Sequence, residues 1–215
     1  ANSLALARQL QAPSAEIDLL AAKLQHAVRG HDGIEQLLQQ AEAAQAQGRL
    51  DDAADAALPL YQRVLALQPD KMQALEGRDE VLSDLLTQTT RAADRGDLAA
   101  AAALLQRVER YDAGHANLPA VKAVMNAALE QRRQQGERDL ARGRLQRAAD
   151  AFQQVLAAGE DPAARQGLQR IAHAQVQEAL RLAADFQFEP AERALQHARE
   201  LAPDSAELGA AEQVL

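Results

Sequence analysis

"ARGRLQRAADAFQQVL" spans residues 141–156, and the fold turns on how it is read. An alanine-rich helix ends at Gly143 and a second begins almost at once, with Leu145, Ala148, Phe152 and Val155 at helical spacing. Glycine ends the first helix because it enters the left-handed backbone region without a Cβ clash. Ala148 is small enough to let the second helix approach the first closely. Phe152, four residues on, closes the apolar stripe on the same face. Such a corner defines an architecture only if it recurs.

It recurs at "QGRLDDA" (47–53), at "RGDLAAA" (95–101) and, with phenylalanine in place of glycine, at "DFQFEPA" (185–191). The corner residues Gly48, Gly96, Gly143 and Phe186 are 48, 47 and 43 residues apart. Five residues after each comes Ala53, Ala101, Ala148 or Ala191, and nine after the last three comes Leu105, Phe152 or Leu195. In the first copy Tyr61, Val64 and Pro69 keep the mutual spacing but are displaced by four residues, which predicts an extra helical turn kinked near Pro59. The second helices end at "LQPD" (67–70), "YDAGH" (111–115), "GEDP" (159–162) and "LAPD" (201–204). Asp70 with Gln73 and Asp204 with Glu207 fit capping boxes, and Asp161 before Pro162 fits an N-cap followed by proline at the first helical position. Long first helices of about 24 residues are expected over 71–95, 118–142 and 163–185.

A glycine, an alanine five on, a large apolar residue nine on, a small or apolar residue twelve on and a proline seventeen on resemble the second half of a tetratricopeptide repeat, best matched after its corner by Ala191, Leu195, Ala198 and Pro203. First-helix positions match poorly: only Gly136 meets the expected glycine, and the early aromatic is missing. The resemblance implies an all-α, TPR-like solenoid of antiparallel helix pairs, with long and short helices alternating. Its period is roughly 47 residues against about 34 in the standard repeat. Residues 33–215 would form the array and residues 1–32 N-terminal helices packing on it, with a break at "GHDG" (30–33) capped by Asp32 and Glu35. The groove positions of the family fall at Leu38 and Glu42, Leu86 and Thr90, Arg133 and Glu137, and Val176 and Leu180.

Apolar residues make up 47% of the chain and aromatics only 2%, so alanine, not large side chains, must fill the interior, as suits helices in thin layers. A net charge of −8 opposes binding to nucleic acid and anionic lipid, and no apolar run is long enough to span a bilayer. The absence of cysteine excludes disulfides and thiolate chemistry. Both ends of the chain look cut, which predicts a piece of a longer protein.

No catalytic constellation stands out, so an enzyme, a cofactor and a metal site are not expected. His26 and His31 are wrongly spaced for two ligands on one helical face, while His115, His173 and His197 read as loop or helix-surface residues. Paired carboxylates sit at helix starts, where they complement the helix dipole. The one charge anomaly is "EQRRQQGERDLARGRLQR" (130–147). Arg132, Arg133 and Arg138, with Glu137, are read there as a docking site for an acidic partner, and Leu86, Thr90 and Val176 as further binding positions. A solvated face with internal pairs, such as Glu130 or Glu137 with nearby arginines, is the competing reading.

The expected function is protein or peptide binding, because solenoids expose extended concave surfaces. The long helices and the Ala/Arg/Gln-rich composition look similar to the extracytoplasmic sensor regions of certain membrane-anchored bacterial serine/threonine kinases. That resemblance implies a periplasmic signal-sensing domain, tethered to a membrane by a segment outside these residues. A structural scaffold or adaptor in a cell-envelope or secretion assembly is the alternative, and a second copy of the chain is a further candidate partner.

Overall fold

The computed structural model describes residues 14–203, 208, 209 and 211. It is all-α, a helical array compatible with a helical repeat fold, with no strand among the described residues. The helices are α1 (Ser14–Ala46), α2 (Ala57–Leu67), α3 (Met72–Asp94), α4 (Leu98–Tyr111), α5 (Leu118–Ala141), α6 (Leu145–Ala158), α7 (Pro162–Ala184) and α8 (Phe188–Leu201). The chain divides into two compact units, Ala1–Asp84 and Leu85–Leu215, with the boundary inside α3.

All four corners close with the same pair of bonds. At the third, Gly143 N–H donates to Leu140 O and Arg144 N–H to Asp139 O, each at 2.9 Å, and the equivalent pairs follow Gln45, Ala93 and Ala183. A bond reaching back five residues around a left-handed residue ends a helix while satisfying its last carbonyls. Gly48, Gly96 and Gly143 supply that conformation at φ 72°, 79° and 71°. Phe186 takes the same role at φ 60°, a backbone region that bulky side chains rarely adopt. The expected N-cap at Asp161 is present: its carboxylate accepts from Ala164 N–H at 2.8 Å, with Pro162 opening α7. At the start of α3 the cap lies one residue later than the sequence predicts. Lys71 O accepts the first helical bond from Leu75 N–H, and Asp70 is exposed in the preceding turn. The box expected at Asp204 and Glu207 lies outside the described residues.

The first unit departs from expectation twice. α1 runs unbroken through residues 30–33, where the sequence predicts a break with Asp32 as cap. An interior glycine costs a helix only about 1 kcal/mol, which its flanking turns absorb. In the first corner the four extra residues form a loop, not a kinked helical turn. Residues 51–56 are non-helical, Ala53 is exposed, and Ala57, four places later, is the buried alanine. Arg49 staples this loop, its guanidinium donating to Asp55 O at 3.1 Å and pairing with the Asp55 carboxylate at 2.7 Å. Ala57 and Leu58 N–H groups reach back to the Arg49 and Leu50 carbonyls. Pro59 falls in the first turn of α2, where a missing N–H removes little from the helical ladder.

Each unit packs an aromatic ring against glycine. In the first, Tyr61 is buried on Gly77, where an added Cβ would collide with the ring, and its hydroxyl donates to Gln45 Oε1 at 2.7 Å. Burial, aided by the Glu42 and Glu80 charges, pushes the Tyr61 hydroxyl up to about 12. In the second, Phe152 lies between Gly136 of α5 and Gly167 of α7. Ala148, Ala164, Leu168 and Ile171 surround it, and Ala101, Ala148 and Ala191 are fully buried, as the spacing from the corners predicts. Ala164, which its sequence position alone would leave on the surface of α7, is buried in the cluster around Phe152.

Candidate functional site: an arginine-lined cleft

The α3–α4 corner of the second unit faces α5 across a cleft of about 530 Å³. Asp94, Arg95 and Gly96 come from the corner, Gln131, Arg132, Gln135 and Arg138 from α5, and Gln154 from α6. Residues 128, 131, 132, 135 and 138 share one face of α5 because they recur every three or four places. Arg138 donates to Gln135 Oε1 at 2.9 Å, and the Arg132 Nε is buried with no hydrogen-bond partner. Among the described residues none of Arg95, Arg132 and Arg138 has a carboxylate partner. Three guanidiniums against the one carboxylate of Asp94 leave the cleft net positive in a chain of net charge −8, a field suited to bidentate recognition of carboxylates.

The structure thus brings together two of the expected arginines and separates the third. Arg133 points to the opposite side of α5, where it pairs with Glu130 and lies 3.7 Å from Asp161. Those partners raise its own pKa, the Glu130 hydrogen bond most, and they neutralise it locally. Glu130 is in turn held below the usual carboxylate range, first by Gln134 and then by Arg133. Glu137 pairs with Arg170 of α7 and does not line the cleft. Leu86 and Val176 are buried core residues, so neither presents a side chain to a partner. Thr90 is half-buried, its hydroxyl donating to Leu86 O at 3.2 Å. Of the remaining groove positions Leu38 is buried, Glu42 exposed and Leu180 half-buried. Arg95 was not foreseen. It directly precedes a corner glycine, and only the packing of that corner against α5 makes the position significant.

Asp139 anchors the end of α5 behind the cleft. It is buried, accepts from Gln135 Nε2 at 2.7 Å and pairs with Arg144 at 2.6 Å. The Gln135 bond first, and then the charges of Arg144, Arg147 and Arg142, hold its carboxyl below the usual range against the opposing effect of burial. A carboxyl with a lower pKa folded than unfolded stabilises the fold above its unfolded value, about 3.9 for aspartate, and loses that effect as pH falls through the folded value. Asp139→Asn should therefore melt below the wild type at neutral pH, and the gap should close as pH drops below roughly 4. A gap independent of pH, measured by thermal melts across that range, would contradict the assignment.

The histidines form no site among the described residues. His115 is buried in the α4–α5 loop, where its Nδ1 accepts from Asn117 N–H at 3.2 Å; His173 and His197 are exposed on helices. The side chains of His26 and His31 lie outside the described residues. Among the described residues no three His, Asp or Glu side chains converge as metal ligands, and no helix is long and apolar enough to cross a membrane. Compared with known proteins, the chain matches no family model, no curated protein and no solved structure.

Proposed function

We propose that this chain is a protein-binding module, a solenoid of tetratricopeptide-like helix pairs, that takes an acidic segment of a partner into the cleft of Arg95, Arg132 and Arg138. The observation that carries the reading is that three guanidiniums without a carboxylate partner line one cleft, whereas Arg49, Arg133, Arg144, Arg170 and Arg181 hold acidic side chains. The glutamines Gln131 and Gln154 on the cleft walls add donors for backbone carbonyls of an extended segment. Repetition of the corners at near-constant intervals and their shared closing bonds support the solenoid reading.

A fluorescein-labelled glutamate-rich peptide is the direct probe. Binding should weaken as salt rises, since exposed charges are screened over about 10 Å at 0.1 M. The double variant Arg132→Glu/Arg138→Glu should lose at least about tenfold in affinity, the equivalent of 1.4 kcal/mol, while Arg133→Glu changes it little. Equal losses in the two variants would place the binding surface elsewhere on α5. No binding by the wild type at low salt would remove the cleft from consideration.

On this reading the chain fits a periplasmic sensor region of a membrane-anchored bacterial serine/threonine kinase, supported by the resemblance in helix length and composition. A kinase domain and a membrane span encoded in the same gene would bear that out. A gene encoding neither would favour an envelope scaffold.

A further inference from the structure

The α7–α8 corner carries two exposed aromatic rings. Phe186 is 82% exposed and Phe188 49%, and the rings meet edge to face with centroids 6.4 Å apart. Phe186 holds the left-handed backbone that the three other corners assign to glycine, so it bears a steric cost while burying almost nothing. A backbone outlier of this kind is a reason to look for a function at the residue. Its surroundings are acidic, with Glu189 and Glu192 following on α8 and Asp185 engaged by Arg181 at 3.0 Å.

The other end of the same helix pair offers the complement. A cavity of about 790 Å³ is floored by Leu156, Leu168, Leu201 and Pro203 and bordered by Arg165 and Arg170. Both arginines hold carboxylates of their own chain, Glu160 at 3.7 Å and Glu137, in exposed pairs that exchange at little cost. From Arg170 to Phe186 is roughly 25 Å along the axis of α7, beyond the reach of the rings, so a chain cannot fill its own cavity. A second copy can. We propose that this protein self-associates by placing Phe186 and Phe188 of one copy in the Leu156–Leu168–Leu201 cavity of another, with the acidic flank of the rings facing Arg165 and Arg170. An aromatic anchor in an apolar pocket, rimmed by opposite charge, is the arrangement that concentrates binding energy at protein interfaces.

Sedimentation velocity on the purified chain, at concentrations up to about 100 µM, reads the association, and complementation tests its geometry. The ring-less variant Phe186→Gly/Phe188→Ala and the rim variant Arg165→Glu/Arg170→Glu should each sediment as monomers. Their equimolar mixture should associate again, because the intact rings of one meet the intact cavity of the other. Phe186→Gly alone should raise the melting temperature by a few degrees, which separates lost association from lost folding. A monomeric wild type overturns the proposal, as does unchanged association in either variant or a mixture that stays monomeric. If a monomeric wild type floats with phosphatidylcholine vesicles and the ring-less variant does not, the rings serve a membrane surface instead.

Discussion

Gly167→Ala is expected to destabilise residues 85–215 by about 2 kcal/mol, although alanine is the better helix former by about 1 kcal/mol. Packing decides the sign. A Cβ at Gly167 would fall 2.5 Å from the Phe152 ring, and the ring has nowhere to go. Gly136 backs its other edge, where a second Cβ would lie 2.8 Å away, and Phe152 is wholly buried. Overpacking of this type costs about 1–3 kcal/mol and occasionally more. Urea unfolding should show a lowered midpoint with an unchanged slope. In a Phe152→Leu background the same alanine should cost much less, because the flat ring that needs two glycines is gone. An alanine that stabilises the parent would show that Phe152 does not sit between the two helices as described.

Ala148→Leu is the second large effect, at about 1–3 kcal/mol. Ala148 is fully buried five residues after Gly143, among Phe152, Leu168 and Ile171, where added methyl groups have no unoccupied volume. Ala127→Leu on the exposed face of α5 should stay within about 0.5 kcal/mol of the parent. Ala164 would be the wrong control, since it belongs to the same buried cluster. Identical midpoints for Ala148→Leu and Ala127→Leu would remove the close helix contact inferred from the spacing.

Much of this was legible beforehand because it is local. Helical periodicity, left-handed glycines, the Asp161–Pro162 cap and the loop residues after each short helix act over one or two turns, so they read directly from the chain. The long helices expected over 71–95, 118–142 and 163–185 are found as Met72–Asp94, Leu118–Ala141 and Pro162–Ala184. The displaced first copy was legible as a four-residue insertion but not as a loop. Pro59 is compatible with either form, and the choice rests on the Arg49–Asp55 staple. The break expected at residues 30–33 rested on two glycines and a cap sequence, weak signals that the surrounding helix overrides.

By itself the sequence determined an all-helical chain, its corners, the small residues that let paired helices touch, and an acidic background with one basic stretch. Only the tertiary structure decided which arginines of that stretch share a cleft. Arg132 and Arg138 join Arg95, a residue remote in sequence, while Arg133 turns away to Glu130 and Asp161. The tertiary structure also turned Gly136 and Gly167 from flexible helix positions into the two walls around Phe152. The physical reason is the same in both cases. Periodicity determines which residues share a face of one helix, but the partner that a face meets depends on how neighbouring helices pack, and no local signal carries that.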